Sequence, residues 1–396
     1  MKIAIWWEQL EWGGVDAHVL ALVSSWNEDD RLVIITNSDN SGVHRIQDQL
    51  NQLKNVEVVY VGQRKSNWLV IGIEYFFLPL RIWKDQIKAQ RAFRTHGPFD
   101  GVIVQNGGYP GSWSSFGALR AAKKCGLRTR IHVIHHQAVP RRLLLNTVEA
   151  LFDKLVVSWA TATVCVSRAT RKTLIDRRGF NLEQSRVRVI HNGIIMGSQQ
   201  VKSGSIRAEL GLKSSDVLIG VLGRGDQYKG HTSIFDAMSE CDPSIRKFLH
   251  LCVIGEARAE YIAMFQKYAN RLNIAENVHF LGYREESSSE IISQLDLTVS
   301  ATRDFEGFGL TIAESMVLGT PVICTDVGAV SEFFNQNSGF MVPPEDSHAM
   351  KDSLEFFFLN KEQVTEKALA ERTSLNHLSA QVMTRQYENI FAEDSL

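Results

Sequence analysis

Short apolar runs rich in β-branched residues recur along the whole chain, separated by polar or amphipathic stretches. In the first half they are "KIAIWW", "RLVIIT", "VEVVYVG", "FDGVIVQ", "TRIHVIHH", "ATVCVS" and "RVRVIHNGI". In the second they are "DVLIGVLGR", "FLHLCVIGEA", "VHFLGY", "LDLTVSA", "TPVICTDVG" and "SGFMVPP". A continuous apolar run of this length reads as a strand buried on both faces. The segments between them, such as "VDAHVLALVSSW" after the glycine turn "EWGG", read as helices. The alternation predicts an α/β protein with two doubly wound, Rossmann-like parallel-sheet domains facing a deep cleft. The polar, unperiodic stretch 195–205, "IMGSQQVKSGS", is the predicted linker. It leaves 1–194 as the first domain and 206–376 as the second. The amphipathic end, about 377–396, is a terminal helix expected to pack back on the first domain.

Composition narrows the class. A chain of 396 residues exceeds one core, and 44% hydrophobic with 22% charged residues is ordinary for a globular protein. The cysteines 125, 165, 241, 252 and 324 are scattered without a C-x-x-C pair, which argues against a zinc site or a disulfide framework and fits a reducing cytoplasm. No run reaches the roughly 18 apolar residues of a membrane span. The net charge of −1 conceals an asymmetry: Val61–Phe180 carries 20 Lys/Arg against 6 Asp/Glu. Such a region is either a solvated face or an attraction for something anionic, such as a membrane surface, a lipid pyrophosphate or a nucleic acid. Within it, Trp68–Lys84 ("WLVIGIEYFFLPLRIWK") reads as an interfacial segment or a buried helix.

Two stretches carry candidate chemistry. In "GVLGRGDQYKGH", a strand ends in a glycine-rich turn holding Arg224 and Lys229. Two fixed cations beside backbone amides and a helix start suit a diphosphate. The Walker spacing is absent, and Tyr228 stands where a dinucleotide fingerprint needs its third glycine. In "FEGFGLTIAES", a glycine break precedes a helix expected from about Leu310, whose first amides have no intrahelical partner. Glu306 before the break can accept hydroxyls of a ligand held there, and Glu314 one turn in can accept a vicinal diol such as a ribose. Taken singly, the first stretch is also an ordinary exposed turn and the second a capped helix with a solvated glutamate. The chain has no D-x-D to hold a divalent ion. Arg, Lys and helix N-termini are the other way to neutralise a departing diphosphate.

The segments "GRGDQYKG", "VHFLGY", "EGFGLTIAESMVLGTPVICTDVGAVSEFF" and "SGFMVPPED", in that order, resemble the C-terminal half of glycosyltransferase family 4, retaining enzymes of GT-B fold. "GGVDAHV", "VIHHQ", "VSRATRKTL" and "VIHNGI" extend the likeness more loosely through the first half. The resemblance implies transfer of a hexose-type sugar from a UDP- or GDP-sugar to a glycan or lipid-linked acceptor, in cell-surface polysaccharide or lipopolysaccharide biosynthesis. By the same likeness, Arg224 and Lys229 hold the donor diphosphate, Glu306 the sugar hydroxyls and Glu314 the ribose. The amides of Phe308, Gly309 and Leu310 support sugar and phosphate, Gly14 admits the phosphates, and Tyr283 and Arg284 contact the base through backbone atoms. His135, or its neighbour His136, stands by the sugar, with a satisfied core histidine as the other reading of either.

The catalytic set implied is therefore Glu306, His135, Arg224 and Lys229, with no metal and no cofactor beyond the co-substrate. A cytoplasmic enzyme peripheral to the inner membrane face follows, its basic first domain meeting anionic lipid, with no nucleic-acid partner. The chain departs from the family pattern in three respects: Ile195 where an Asp is usual, Ala257 where a glycine is frequent, and a loosely matched first half. The competing expectations are a nucleotide-sugar epimerase or hydrolase of the same fold, and a non-catalytic phosphate- or nucleic-acid-binding protein. The second lacks the regular aromatic interleaving of a single-strand platform.

Overall fold

The computed structural model describes residues 1–10, 12–63, 78–181, 186–196 and 205–395. Most of the expected linker, 197–204, lies outside these residues, as does 68–77 of the apolar Trp68–Lys84 segment. The chain divides into two compact units, residues 1–195 with 380–396 and residues 196–379.

In the first unit, strands β1 (Lys2–Trp6), β2 (Arg31–Thr36), β3 (Val56–Tyr60), β4 (Gly101–Asn106), β5 (Thr129–Ile134), β6 (Ala162–Cys165) and β7 (Val187–Val189) form one parallel sheet, in the order β3-β2-β1-β4-β5-β6-β7. The second unit holds β8 (Val217–Leu222), β9 (Leu249–Ile254), β10 (Val278–Gly282), β11 (Leu297–Ser300), β12 (Val322–Thr325) and β13 (Gly339–Val342), in the order β10-β9-β8-β11-β12-β13. These are the thirteen runs read from the sequence. Every central strand is buried on both faces, so alternation is replaced by continuous apolar sequence.

The helices of the first unit that matter here are α1 (Gly14–Ser24), α2 (Leu78–His96), α3 (Trp113–Lys124), α4 (Asn146–Trp159) and α5 (Arg168–Arg178). In the second they are α6 (His231–Glu240), α7 (Ala259–Arg271), α8 (Leu310–Leu318), α9 (Ser347–Leu359) and α10 (Lys361–Glu371). Helices α2 to α5 share a core with the sheet through residues such as Trp6, Phe93, Phe116, Val156 and Leu174. A buried polar knot ties α4 and α5 to the loop after β4. Asp153 accepts from Tyr109 Oη at 2.7 Å and pairs with Arg141 at 2.9 Å, while Arg178 pairs with Glu149 at 2.7 Å. Burial first, and the Asp153 charge second, push the Tyr109 phenol up, so it remains a donor.

The terminal helix, α11 (Ala380–Ser395), begins three residues later than the sequence suggests. Arg372–Leu378 is instead a 3-10 turn of the second unit, anchored by Arg372 Nε donating to the Val317 carbonyl at 3.1 Å. Ser379 is extended, and Ala380 N then donates to the Ile194 carbonyl at 2.9 Å, at the point where the chain re-enters the first unit. Among the described residues no helix is long and apolar enough to cross a membrane.

Helix α11 completes the first core: Phe391 meets Trp26 edge-on at 5.8 Å and is 1% exposed. Phe391→Ala should therefore cost about 3–5 kcal/mol. The check is a lower denaturant midpoint for the unfolding step reported by tryptophan fluorescence. An unchanged midpoint would mean that α11 does not belong to that core.

Candidate functional site

In an open parallel sheet, ligands meet the carboxyl ends of the strands where the strand order reverses. In the second unit that point lies between β8 and β11, which pair directly through Ile219–Leu297 and Gly220–Thr298. The loop leaving β8 holds Arg224 and Lys229; the loop leaving β11 holds Glu306. Asp226 accepts from Lys229 N at 3.2 Å and starts a 3-10 turn that ends at Gly230, with φ 67°. A Cβ on Gly230 would lie 1.9 Å from the Ala301 carbonyl, so only glycine lets the two loops press together. Arg303 N donates to the Tyr228 carbonyl at 3.1 Å, and Tyr228 Oη donates to the Phe305 carbonyl. Burial raises the Tyr228 pKa and keeps that donor protonated.

The stapled loops bring Lys229 Nζ to 2.9 Å from Glu306 Oε2. Thr302 Oγ1 donates to the same oxygen at 3.0 Å, so Oε1 takes no part in either bond. The Glu306 backbone is fixed too. Its carbonyl accepts from Ala329 N at 2.9 Å, and a Cβ on Gly328 would lie 2.1 Å from it. Three residues on, Gly309 (φ 93°) is the N-cap of α8 and offers no side chain. The first-turn amides of Leu310, Thr311 and Ile312 thus open beside Glu306, the charge arrangement that favours an anion. Phe308 is not at the surface: it is 3% exposed and stacks on Phe333 at 4.8 Å.

Glu314, one turn into α8, is half-buried. Loss of water contact pushes its carboxyl up to about 7, opposed by a hydrogen bond with Ser288. The Arg224 side chain is 59% exposed, with Nε 3.9 Å from Asp226. The Arg284 guanidinium is committed to Glu209 and Glu286, each at 2.8 Å, and these bonds raise its pKa. Tyr283 beside it is exposed. Ala257 forms an isolated parallel bridge with Gly225, and its methyl rests against that glycine.

Gly14 and His135 belong to the first unit. Gly14 is the exposed first residue of α1, after the N-cap Gly13. Buried Asp16 shapes this loop by accepting from Gly13 N at 2.6 Å and from Gln9; its carboxyl is raised to about 7 by burial. His135 follows β5, with its ring nitrogen Nε2 2.7 Å from Gln105 Oε1. His18 of α1 meets it edge-on at 4.6 Å and bonds Asn192 at 2.9 Å. Burial lowers both imidazoles, His18 to about 4, so both are neutral at pH 7. His136 is half-buried beside them. Sequence reasoning passed over Thr302, His18, Asn192 and Gln105, and met Tyr228 only as a residue in place of a glycine. Thr302 and Gln105 were within reach, since each stands at or just past the carboxyl end of a strand expected in the sheet.

Two family models match: Glycosyltransferase Family 4 over residues 12–196 and Glycosyl transferases group 1 over residues 203–373. Lipopolysaccharide core biosynthesis mannosyltransferase LpsB of Rhizobium meliloti is 32% identical over 37% of this chain and 43% of its own. O-antigen biosynthesis glycosyltransferase WclY of Escherichia coli is 27% identical over 49% of each. The chain thus matches about half the length of these curated relatives, or less. Among solved structures, HepE of Anabaena in complex with UDP and glucose aligns with TM-score 0.76 at 18% identity, over 99% of this chain and 100% of that one. A glycosyltransferase from Rickettsia africae aligns with TM-score 0.78 at 16% identity, over 100% and 98%. This chain has the GT-B fold, two Rossmann-like units each built on a parallel sheet.

The raised Glu314 carboxyl makes a pH prediction. Between its ordinary 4.5 and about 7, the folded chain holds this proton more tightly than the unfolded chain. The associated stability is full below pH 4.5 and is lost as pH rises towards 7. Glu314→Gln removes the titration. Urea midpoints of variant and wild type should therefore diverge in the variant's favour across that window; parallel profiles would show an ordinary carboxylate.

Proposed function

The chain belongs to the group 1 glycosyl transferases of family 4, and on that premise we propose that it moves a hexose-type sugar, with retention, from a nucleotide diphosphate sugar to a glycan or lipid-linked acceptor. The observation that carries this reading is the Lys229–Glu306 pair, set at 2.9 Å beside the open start of α8. A cation, a carboxylate and free helix amides within one loop pair match the charges of a sugar diphosphate.

In this reading Lys229 and the exposed Arg224 meet the diphosphate, joined by the first-turn amides of α8. Glu306 takes sugar hydroxyls and Glu314 the ribose diol. Tyr283 and Arg284 border the base through their backbone, the Arg284 side chain being occupied by its two glutamates. In the first unit, Gly14 presents no side chain at the start of α1, and neutral His135, oriented by Gln105, can bond a hydroxyl. The anomeric C–O bond breaks and its electrons leave with the phosphate. The acceptor oxygen bonds the anomeric carbon on the same face, and its proton passes to the departing phosphate oxygen. Fixed cations and amides stabilise the developing charge without reorganising.

The UDP and glucose held by HepE support a UDP-sugar donor, with a GDP-sugar as the alternative. Relatives named for lipopolysaccharide core and O-antigen synthesis support an acceptor in cell-surface glycan assembly, and in this reading the acceptor is met at the inner membrane face.

Glu306→Gln keeps the shape of the site and removes its charge. It should fold as wild type and lose about 100-fold or more in transfer. A thermal-shift panel of nucleotide sugars identifies the donor for that assay, since the bound donor raises the melting temperature. Unchanged turnover in Glu306→Gln, or a panel in which no nucleotide sugar stabilises the protein, would overturn the reading.

A further inference from the structure

Helix α4 and the turn before it, Leu143–Leu145, have two apolar faces. Phe152, Val156 and Trp159 pack inward on the core of the first unit. On the other side, Leu144, Val148, Leu151 and Leu155 recur at the spacing of a single helical face. That face is open to water: Leu143 is 96% exposed, Leu144 98%, Val148 65% and Leu151 62%. A lone exposed leucine needs no explanation, but a continuous ridge of them marks an interaction surface.

The charges around the ridge identify what it meets. Both acids of α4 turn inward, Glu149 to Arg142 and Arg178, Asp153 to Arg141 and Tyr109. Lys154 is left outward, and Lys123 and Lys124 are exposed at the end of the adjacent α3. On the far side of α3, helix α2 repeats the pattern. Leu80, Trp83 and Ile87 are exposed along one face, with Lys84, Arg91 and Arg94 beside them. Asp85, Glu149 and Asp153 are the acids of these three helices, and none is exposed. A protein partner selects a patch with an aromatic centre and a mixed polar rim. Apolar ridges flanked by exposed cations, with a single indole, Trp83, among the aliphatic side chains, match the boundary between acyl chains and anionic headgroups.

We propose that this ridge docks the first unit on an anionic lipid bilayer, with Leu143, Leu144, Val148 and Leu151 entering the headgroup–acyl boundary and Lys123, Lys124 and Lys154 meeting headgroup phosphates. It builds on the reading of an acceptor held at a membrane face. Its test needs neither donor nor acceptor, so either reading can fail alone.

The full chain should float with phosphatidylcholine–phosphatidylglycerol vesicles, less so in high salt, and not with phosphatidylcholine alone. Leu144→Ser/Leu151→Ser should lower the partition coefficient about tenfold or more. Lys123→Glu/Lys154→Glu should lower it too and flatten its salt dependence. All four positions are exposed, so circular dichroism and melting temperature should stay at wild-type values. Vesicle binding unchanged by the serine pair would overturn the proposal. So would a concentration-dependent dimer, seen by analytical ultracentrifugation, that the serine pair dissolves, since the ridge would then belong to a second copy.

Discussion

The candidate site depends on one close approach of backbone. The turn ending at Gly230 lies against the Ala301 carbonyl with no room for a methyl group. That contact holds the loops after β8 and β11 together, and the other features follow from it. Tyr228 reaches the Phe305 carbonyl, Lys229 reaches Glu306, and the start of α8 is set beside both. Charge–charge attraction alone would not produce this order. A half-exposed ion pair is worth little against the entropy of two long side chains. Here the backbone places the partners and the pair follows.

In both units burial shifts ionisable groups out of their ordinary range. The second keeps a charged lysine–carboxylate pair near the surface, while Glu314 nearby is raised by burial to about 7. The first unit places His18, His132 and His135 where burial lowers all three, so none carries charge at neutral pH. A neutral imidazole can bond a hydroxyl without adding charge around it, and burial holds His231 of the second unit neutral in the same way.

The strands were legible because a strand buried on both faces must be apolar throughout, and such runs cannot hide. The glycine turns and the flanking Arg, Lys and Glu were legible for the same reason, being local in sequence. The Lys229–Glu306 contact spans 77 residues, and His18–Asn192 spans 174. Each is a product of strand order, which no local pattern encodes. The base contact expected of Arg284 runs through its backbone. Its side chain is taken by Glu286, two residues on, and by Glu209, which only the fold brings near. The ridge on α4 went unread because "NTVEALFDKLVVSW" is apolar on two sides and reads as an interior helix. The structure buries one side only.

The first unit is assembled from two separated stretches, with the whole second unit encoded between them. During synthesis the first 195 residues emerge without the helix that carries Tyr387 and Phe391, two fully buried rings of their core. Residues 196–379, by contrast, are contiguous, so that unit has all of its own sequence before the last helix appears. The order of emergence is thus the reverse of the order of completion. Without α11 the first unit lacks two buried rings of its core. A chain truncated before residue 380 would therefore present one unit with all of its own sequence and one exposed core, the kind of apolar surface that invites aggregation and chaperones.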